Sequence, residues 1–542
     1  MLWSAPVGAF LWTSLLILAA LLAPALYAGS GYGPAVTTVQ YDNTRRGWNQ
    51  NEEMLTVDTV SPDTFGKLWT ATLTGQIYSA PLYVSGVVID GQPHNVVYVA
   101  TEANLIYALD ADNNGEQLWV NSSLGTPGSR SLQSCGNISP DIGITSTPVI
   151  DLDTGTLYAV GLTRQGVTQV FKMVAVDIAT GQARLGWPVP IQPPATPTID
   201  TRVTSQRGAL LLANGLVYAG FGGLFGDCGP YHGWAVAANP NNPMGQQLYY
   251  RTPGTTTHRG SGIWAGGGMA ADENYIYATT GNSFNAPGVD LSNAVLRLGF
   301  DLSFSGQPED FFIPSNWRGL NATDSDLGSS TTLILPPQDG SNTPNMIFIT
   351  GKAGVGHLLN RDNLGGVATG DGISREGIYS TLVFNGGSYS TAAYYEDPDQ
   401  GPTVFLSGFG TQPVCPGAII GVAAFSLGVQ EDGSSFYDQR PLWCTPTIGI
   451  SMSPLVTGVP GTTGIVWVVS INSNAALYAH NAATGDMLYN SNMVAGDALG
   501  NTRHSTNQRG NQYFTVIDGK VFIPTEPSRI VAYGLRNQER AK

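Results

Sequence analysis

A run of three consecutive β-strand signals recurs eight times along this chain, and nothing else restricts its fold so strongly. The first copy occupies residues 80–119. PLYVSGVVI, NVVYVAT and LIYALDA follow one another as short β-branched and aromatic runs, separated by Gly, Asn and Asp. Aligned on Pro81, the later copies begin at Pro148, Leu210, Ala270, Leu333, Ala392, Pro454 and Thr515, at steps of 59 to 67 residues. One copy exposes apolar faces that it cannot bury alone, so neighbouring copies must pack on each other. A unit of about 60 residues suits a four-stranded blade with long top loops. The sequence therefore predicts an all-β chain folded as one eight-bladed β-propeller over residues 36–535, with a polar tail at 536–542. Little chain follows the eighth copy, so the strand-like segment from Val36 to Tyr41 is the expected closing strand of the last blade.

Composition agrees with this and sets the compartment. The chain of 542 residues has 68 Gly, 34 Pro and only 12% charged residues, as a turn-rich β protein requires. A net charge of −15, without a basic stripe, argues against a nucleic-acid partner. An apolar run from Phe10 to Leu22, followed by small residues up to Ala28, reads as a signal peptide over residues 1–28. The expected location is thus secreted or periplasmic. The run has no Lys or Arg before it, and a membrane enters as a partner only if the segment stays uncleaved. Cys135, Cys228, Cys415 and Cys444 show no CxxC spacing and read as disulfide cysteines, with three connectivities open. Asn121, Asn137 and Asn321 head glycosylation sequons in loop-like sequence, which matter in a eukaryotic host.

The copies also end alike. Ala108-Leu109-Asp110 leads to Asn114-Gly115 and Trp119, Ala175-Val176-Asp177 to Thr180-Gly181 and Trp187, and Ala479-His480-Asn481 to Thr484-Gly485 and Tyr489. The Asp or Asn, with the Gly, would turn the chain between the last two strands, and the aromatic would pack between blades. With these endings, and with the openings Tyr41-Asp42-Asn43-Thr44-Arg45-Arg46-Gly47 and Phe65-Gly66-Lys67-Leu68-Trp69, the chain resembles the quinoprotein alcohol dehydrogenases over roughly residues 40–535. Those are exported eight-bladed propellers that carry pyrroloquinoline quinone (PQQ) and a metal ion, Ca²⁺ or a lanthanide, at their centre.

The resemblance implies a site. Asp324 falls at the catalytic base, and Lys352, 28 residues later, at the basic residue that contacts the quinone. A carboxylate there would take the alcohol proton while a fixed cation polarises the quinone oxygens. Asp326 matches the additional carboxylate of the lanthanide-dependent branch, and Asn282 matches a metal-ligating Asn; hard cations favour both oxygens. The family's metal-ligating Glu falls at Cys228, with Asp227 one residue away as the available carboxylate. The vicinal cysteines that cover one face of the quinone are absent. The stacking Trp position falls within Gly266-Gly267-Gly268, with Trp264 nearby, and Tyr78 stands where a Glu is expected. Arg259 lies with Arg207, His258 and Tyr389 at the starts of inner strands, where a propeller channel is lined. The alignment brings the loops of Cys135 and Cys228 near the cavity, which implies a bridge between them and leaves Cys415 and Cys444 as the second pair.

Three functions follow as expectations: a PQQ- and metal-dependent dehydrogenase of an alcohol or sugar, a non-catalytic propeller that binds a glycan or protein, and a carbohydrate-active lyase using His258, Arg259 and Tyr389. The dehydrogenase and lyase readings place a small alcohol, sugar or glycan in the central cavity.

Overall fold

Two-residue hairpins set the register of the sheets. Asp90-Gly91, Asn214-Gly215 and Asp518-Gly519 each have two consecutive positive φ values, the geometry that joins twisted antiparallel strands without splaying them. They link the two innermost strands of blades one, three and eight, where Ile89 faces Gln92, Ala213 faces Leu216 and Ile517 faces Lys520. The computed structural model describes residues 31–536 apart from 137, 194–197, 411–419, 439, 446–449 and 504–512. Within them, eight sheets of four or five strands follow one another as predicted, antiparallel except where Trp48–Asn49 joins blade seven and Gly366–Val367 joins blade four in parallel. Their innermost strands are Leu82–Ile89, Val149–Asp151, Leu211–Ala213, Ala270–Ala271, Leu333–Ile334, Ala393–Asp397, Leu455–Thr457 and Thr515–Ile517. Each falls at the start of one sequence copy. The proposed signal segment and Cys415 lie outside the described residues. Among those described, no helix is long and apolar enough to cross a membrane.

The repeated endings lock blade to blade. Asp110, Asp177 and Asn481 each accept two backbone N–H bonds from the residues two and three positions on, closing the expected turns. The carbonyl of the residue after each then accepts an indole N–H from the preceding blade. Trp69 Nε1 donates to Ala111 at 3.1 Å, Trp119 to Ile178 at 3.2 Å and Trp443 to Ala482 at 2.8 Å. The indole lies on the turn glycine; a Cβ on Gly181 would come within 2.7 Å of the Trp119 ring, and Gly181 has φ +70°. Gly181→Ala therefore combines left-handed strain with overpacking and should destabilise the propeller by about 2 kcal/mol. Urea unfolding would measure it, and an unchanged midpoint would show that Trp119 gives way freely.

Ring closure differs from the expectation. Val36 does not join the last blade: Ala35–Val36 pairs with Tyr83 and Val84 on the inner edge of blade one. The closing strand is Phe65–Thr72, antiparallel to Arg529–Leu535 as the outermost strand of blade eight. Residues 37–49 form no long strand because Gln40, Tyr41 and Arg45 all have positive φ. They instead turn against the inner strands. Main-chain carbonyls of Thr37, Asn43, Thr44, Arg46 and Gly47 accept N–H bonds from Ile150, Ala271, Ile334, Tyr394 and Val456, which belong to blades two, four, five, six and seven. Asn43 Nδ2 reaches Leu212 O in blade three, and Tyr41 Oη reaches Val516 O in blade eight. With Ala35–Val36 on blade one, the segment thus ties the inner edges of all eight blades together.

Two of the sequons are not in loops. Asn121 ends the strand Gln117–Asn121, where it is buried and its Nδ2 donates to Gly181 O at 2.8 Å. Asn321 sits in the helix Trp317–Thr323; its Oδ1 accepts from Ser283 N and its Nδ2 donates to Ser292 Oγ. In both, the nitrogen that would carry a glycan already holds a structural bond. Asn137 lies outside the described residues.

Candidate functional site

Loops of blades three to six build one cavity of about 320 Å³, walled by Arg207, Leu224–Asp227, Tyr231, Trp264, Asp324, Asp326, Lys352 and Tyr389. Asp326 is almost fully buried and held at every acceptor. Its Oδ1 accepts Asn282 N–H at 2.6 Å, its Oδ2 accepts Lys352 Nζ at 2.7 Å, and its main-chain O accepts Lys352 N–H at 2.9 Å. Asp324 caps the helix Trp317–Thr323 in the left-handed region, φ 54°, which turns the chain toward the cavity. Its side chain is 64% exposed and accepts from Lys352 Nζ at 2.8 Å. One ammonium therefore bridges two carboxylates. Burial works against the charge of Lys352, but Asp326 and Asp324 outweigh it and hold the amine above the usual lysine value. For Asp326, burial outweighs the pull of Lys352, so its carboxyl lies above the usual carboxylate range.

Aromatic surfaces flank this pair. The Trp264 ring centroid is 5.4 Å from Lys352 Nζ and 4.7 Å from Arg207 Cζ, both cation–π distances. Gly222 and Gly281 make room for the indole: a Cβ would come within 2.8 Å of Trp264 Cβ and 2.4 Å of its Nε1, respectively. Tyr389 stacks on Phe409 at 5.4 Å and stands 5.9 Å from Lys352 Nζ. Arg207 has no carboxylate within ion-pair distance among the described residues. Its Nη2 donates a long 3.4 Å bond to Gly223 O, and its buried Nε has no partner. A half-buried cation with spare donors on a cavity wall suits an anionic ligand.

The remaining wall is the loop from Leu224 to Tyr231. Asp227 accepts Tyr231 Oη at 2.5 Å on its carboxylate and Arg259 Nη1 at 2.6 Å on its main-chain O. Burial raises its pKa. Cys228, next in sequence, is joined to Cys135, so this wall is covalently tied to the loop of blade two. Cys444 is also disulfide-bonded.

Of the residues picked from sequence, Asp324, Asp326, Lys352, Trp264 and Asp227 meet on this cavity. Asn282 adjoins it through its main-chain N–H. Tyr78 does not: it is buried in the core between blades two and three with Ile138, Val149 and Tyr158. Arg259 stacks over Phe284 at 4.2 Å behind the Asp227 loop, and His258 pairs with buried Asp290 at 2.7 Å. The trio His258, Arg259 and Tyr389 is thus not assembled on the wall. Tyr231 and Phe225 also line the cavity, and the sequence marks their loop only through Asp227 and Cys228.

A family model described as outer membrane protein assembly factor BamB, of the PQQ-like repeat type, matches residues 56–223. No curated protein matches the chain by sequence. Among solved structures, the quinohemoprotein alcohol dehydrogenase of Comamonas testosteroni superposes with a TM-score of 0.56 at 14% identity, covering 94% of this chain and 81% of its own. The quinohemoprotein alcohol dehydrogenase ADHIIG of Pseudomonas putida gives 0.57 at 14% identity, covering 94% and 80%. A europium-containing methanol dehydrogenase gives 0.59 at 13% identity, covering 92% and 98%. At such identities the likeness is one of fold, and the fold is an eight-bladed β-propeller with PQQ-like repeats.

Proposed function

We propose that the chain is an exported quinoprotein dehydrogenase that oxidises an alcohol or a sugar in the cavity of blades three to six. The observation that carries this reading is the convergence of Asp324, Asp326, Lys352 and Trp264 on one wall-lined space of cofactor size. The residues fit PQQ, a flat anionic ring system: Trp264 and Tyr389 offer aromatic surface, and Arg207 and Lys352 offer cations. When bound, the quinone accepts the two electrons and the hydrogen of the alcohol carbon. The chain's own part is to bind, orient and move a proton. Asp324, largely exposed to the cavity, takes the hydroxyl proton of the alcohol at its carboxylate. Lys352 holds Asp324 in place and presents its positive charge to the acceptor oxygens. Asp326 fixes Lys352 through two contacts. The Cys135–Cys228 disulfide supports an oxidising, extracytoplasmic location.

Calorimetric titration of the purified chain with PQQ tests this. Expected are saturable binding and a loss of at least about 10-fold in affinity in Arg207→Ala, one charge-assisted contact being worth about 1.5–3 kcal/mol. In a dye-linked assay, Asp324→Asn should keep PQQ affinity and lower kcat by about 100-fold or more. Absence of PQQ binding overturns the dehydrogenase reading. The match of residues 56–223 to the BamB model favours, as a second reading, a non-catalytic propeller that binds a protein or glycan.

A further inference from the structure

The donor set of this cavity does not fit a bound Ca²⁺ or lanthanide ion. Such ions take six or more oxygen ligands, several of them carboxylates. Here Asp326 has one oxygen on the Asn282 N–H and the other on Lys352. Asp227 has turned its carboxylate to the Tyr231 hydroxyl. Cys228, at the position of the family's metal-ligating Glu, is consumed in a disulfide. Asn282 meets Asp326 through its main chain. Among the described residues, no three His, Cys, Asp or Glu side chains gather as a metal would require.

The two carboxylates nonetheless share a cation. Lys352 Nζ stands 2.8 Å from Asp324 and 2.7 Å from Asp326. Its side chain is only 14% exposed, and its main-chain N–H is anchored on Asp326 O. We infer that Lys352 is the resident cation of this site, its ammonium taking the place between Asp324 and Asp326 that a metal ion would occupy, so that the cavity binds its anionic ligand without a metal. This rests on the quinone reading for the identity of the ligand, and on the geometry alone for the place of the ammonium. An ammonium is singly charged and directional, donating three bonds. Two of its protons are spent on Asp324 and Asp326, and the third is left for a ligand oxygen. Arg207, the second cation on the wall and without an acidic partner, supplies the further positive charge that a polyanionic ligand requires.

Two measurements on the full chain decide it. Tb³⁺ luminescence, sensitised by indole, reads cation binding beside Trp264, whose ring is 5.4 Å from the ammonium position. The wild type should give no emission that depends on Asp326. Lys352→Met should gain it, and Lys352→Met/Asp326→Asn should lose it again. Wild-type emission abolished by Asp326→Asn overturns the inference, as does a Lys352→Met protein that gains none. The second measurement needs no Lys352 variant: PQQ titration of the wild type in EDTA, in Ca²⁺ and in La³⁺. Affinities equal within about two-fold support the lysine as resident cation. A gain of 10-fold or more with either ion, lost in Asp326→Asn, overturns it. If PQQ binds under none of the three conditions, the quinone reading falls, and the terbium result decides the role of Lys352 by itself.

Discussion

Lys352→Met should unfold at markedly lower denaturant than the wild type at neutral pH, by about 3–5 kcal/mol, because it strands a buried carboxylate without its partner. Asp326 is 3% exposed, and among the described residues only Lys352 and the Asn282 N–H bond its carboxylate. Burial already raises its pKa in the presence of the lysine, and removing the ammonium raises it further. A carboxyl whose folded pKa is raised contributes stability below its unfolded value and loses it as pH rises through the folded value. The variant should therefore lie closest to the wild type below about pH 3, under the ordinary aspartate value, where Asp326 is protonated in both states, and fall away toward neutrality. For Lys352 itself the folded pKa is raised, so the wild-type advantage should persist to about pH 10 and shrink only above the lysine range. Lys352→Arg keeps the charge and should recover most of the loss. Urea unfolding midpoints at several pH values read this directly. A penalty independent of pH would mean that packing of the lysine stem, not its charge, holds the wall.

The propeller was legible in the sequence because its determinants are local. A blade starts where an apolar run follows a turn, and the Asp110, Asp177 and Asn481 turns bond residues two and three positions away. The Trp119 indole could be placed between blades for the same reason, since it closes a repeated ending. The closing strand was not legible. Val36 to Tyr41 is β-branched and aromatic like a strand, but beyond Val36 its bonds go to more distant blades, and no local pattern announces the positive φ of Gln40 and Tyr41. The site divides similarly. Asp324, Asp326 and Lys352 come from one blade and were found through the spacing of a family motif. Arg207 and Tyr389 stood only among several channel residues, because what sets them on the cavity is the junction of loops from different blades. Trp264, out of register with the stacking position, reaches the wall because Gly222 and Gly281 leave it space. That steric fact requires both neighbouring loops in three dimensions.

The largest loss of stability should come from Arg45→Met, a residue far from any ligand. Arg45 is fully buried, yet its guanidinium meets no carboxylate among the described residues. Nε donates to Met269 O at 3.1 Å, Nη2 to Leu210 O at 3.2 Å, and Nη1 to Thr38 Oγ1 at 2.7 Å and Val39 O at 3.1 Å. Burial lowers its pKa to about 10, so it stays a cation at neutral pH and its bonds are charge-assisted. Methionine fills similar volume and donates nothing. It leaves these four acceptors, and the Asp42 carbonyl that Nη1 also reaches at 3.3 Å, without that donor in the axis of the ring, the four shorter bonds counting about 1–3 kcal/mol each. Even the lower bound is about 4 kcal/mol, a large part of the 5–15 kcal/mol that typically holds a folded chain. Lysine cannot substitute, since one ammonium cannot span the Leu210 and Met269 carbonyls that the planar fork reaches. Arg45→Met should thus give low soluble yield or a thermal midpoint lowered by at least about 5 °C, and Arg45→Lys an intermediate value. The effect should extend to the cavity. Leu210 follows Arg207 by three residues and Met269 follows Trp264 by five, so the carbonyls that Arg45 pins terminate the two loops carrying the free cation and the indole. Where the variant remains folded at low temperature, PQQ affinity should fall with it. A folded Arg45→Met protein with wild-type midpoint and affinity would show that water satisfies these carbonyls, and that the axial segment is a passenger of the ring and not its fastening.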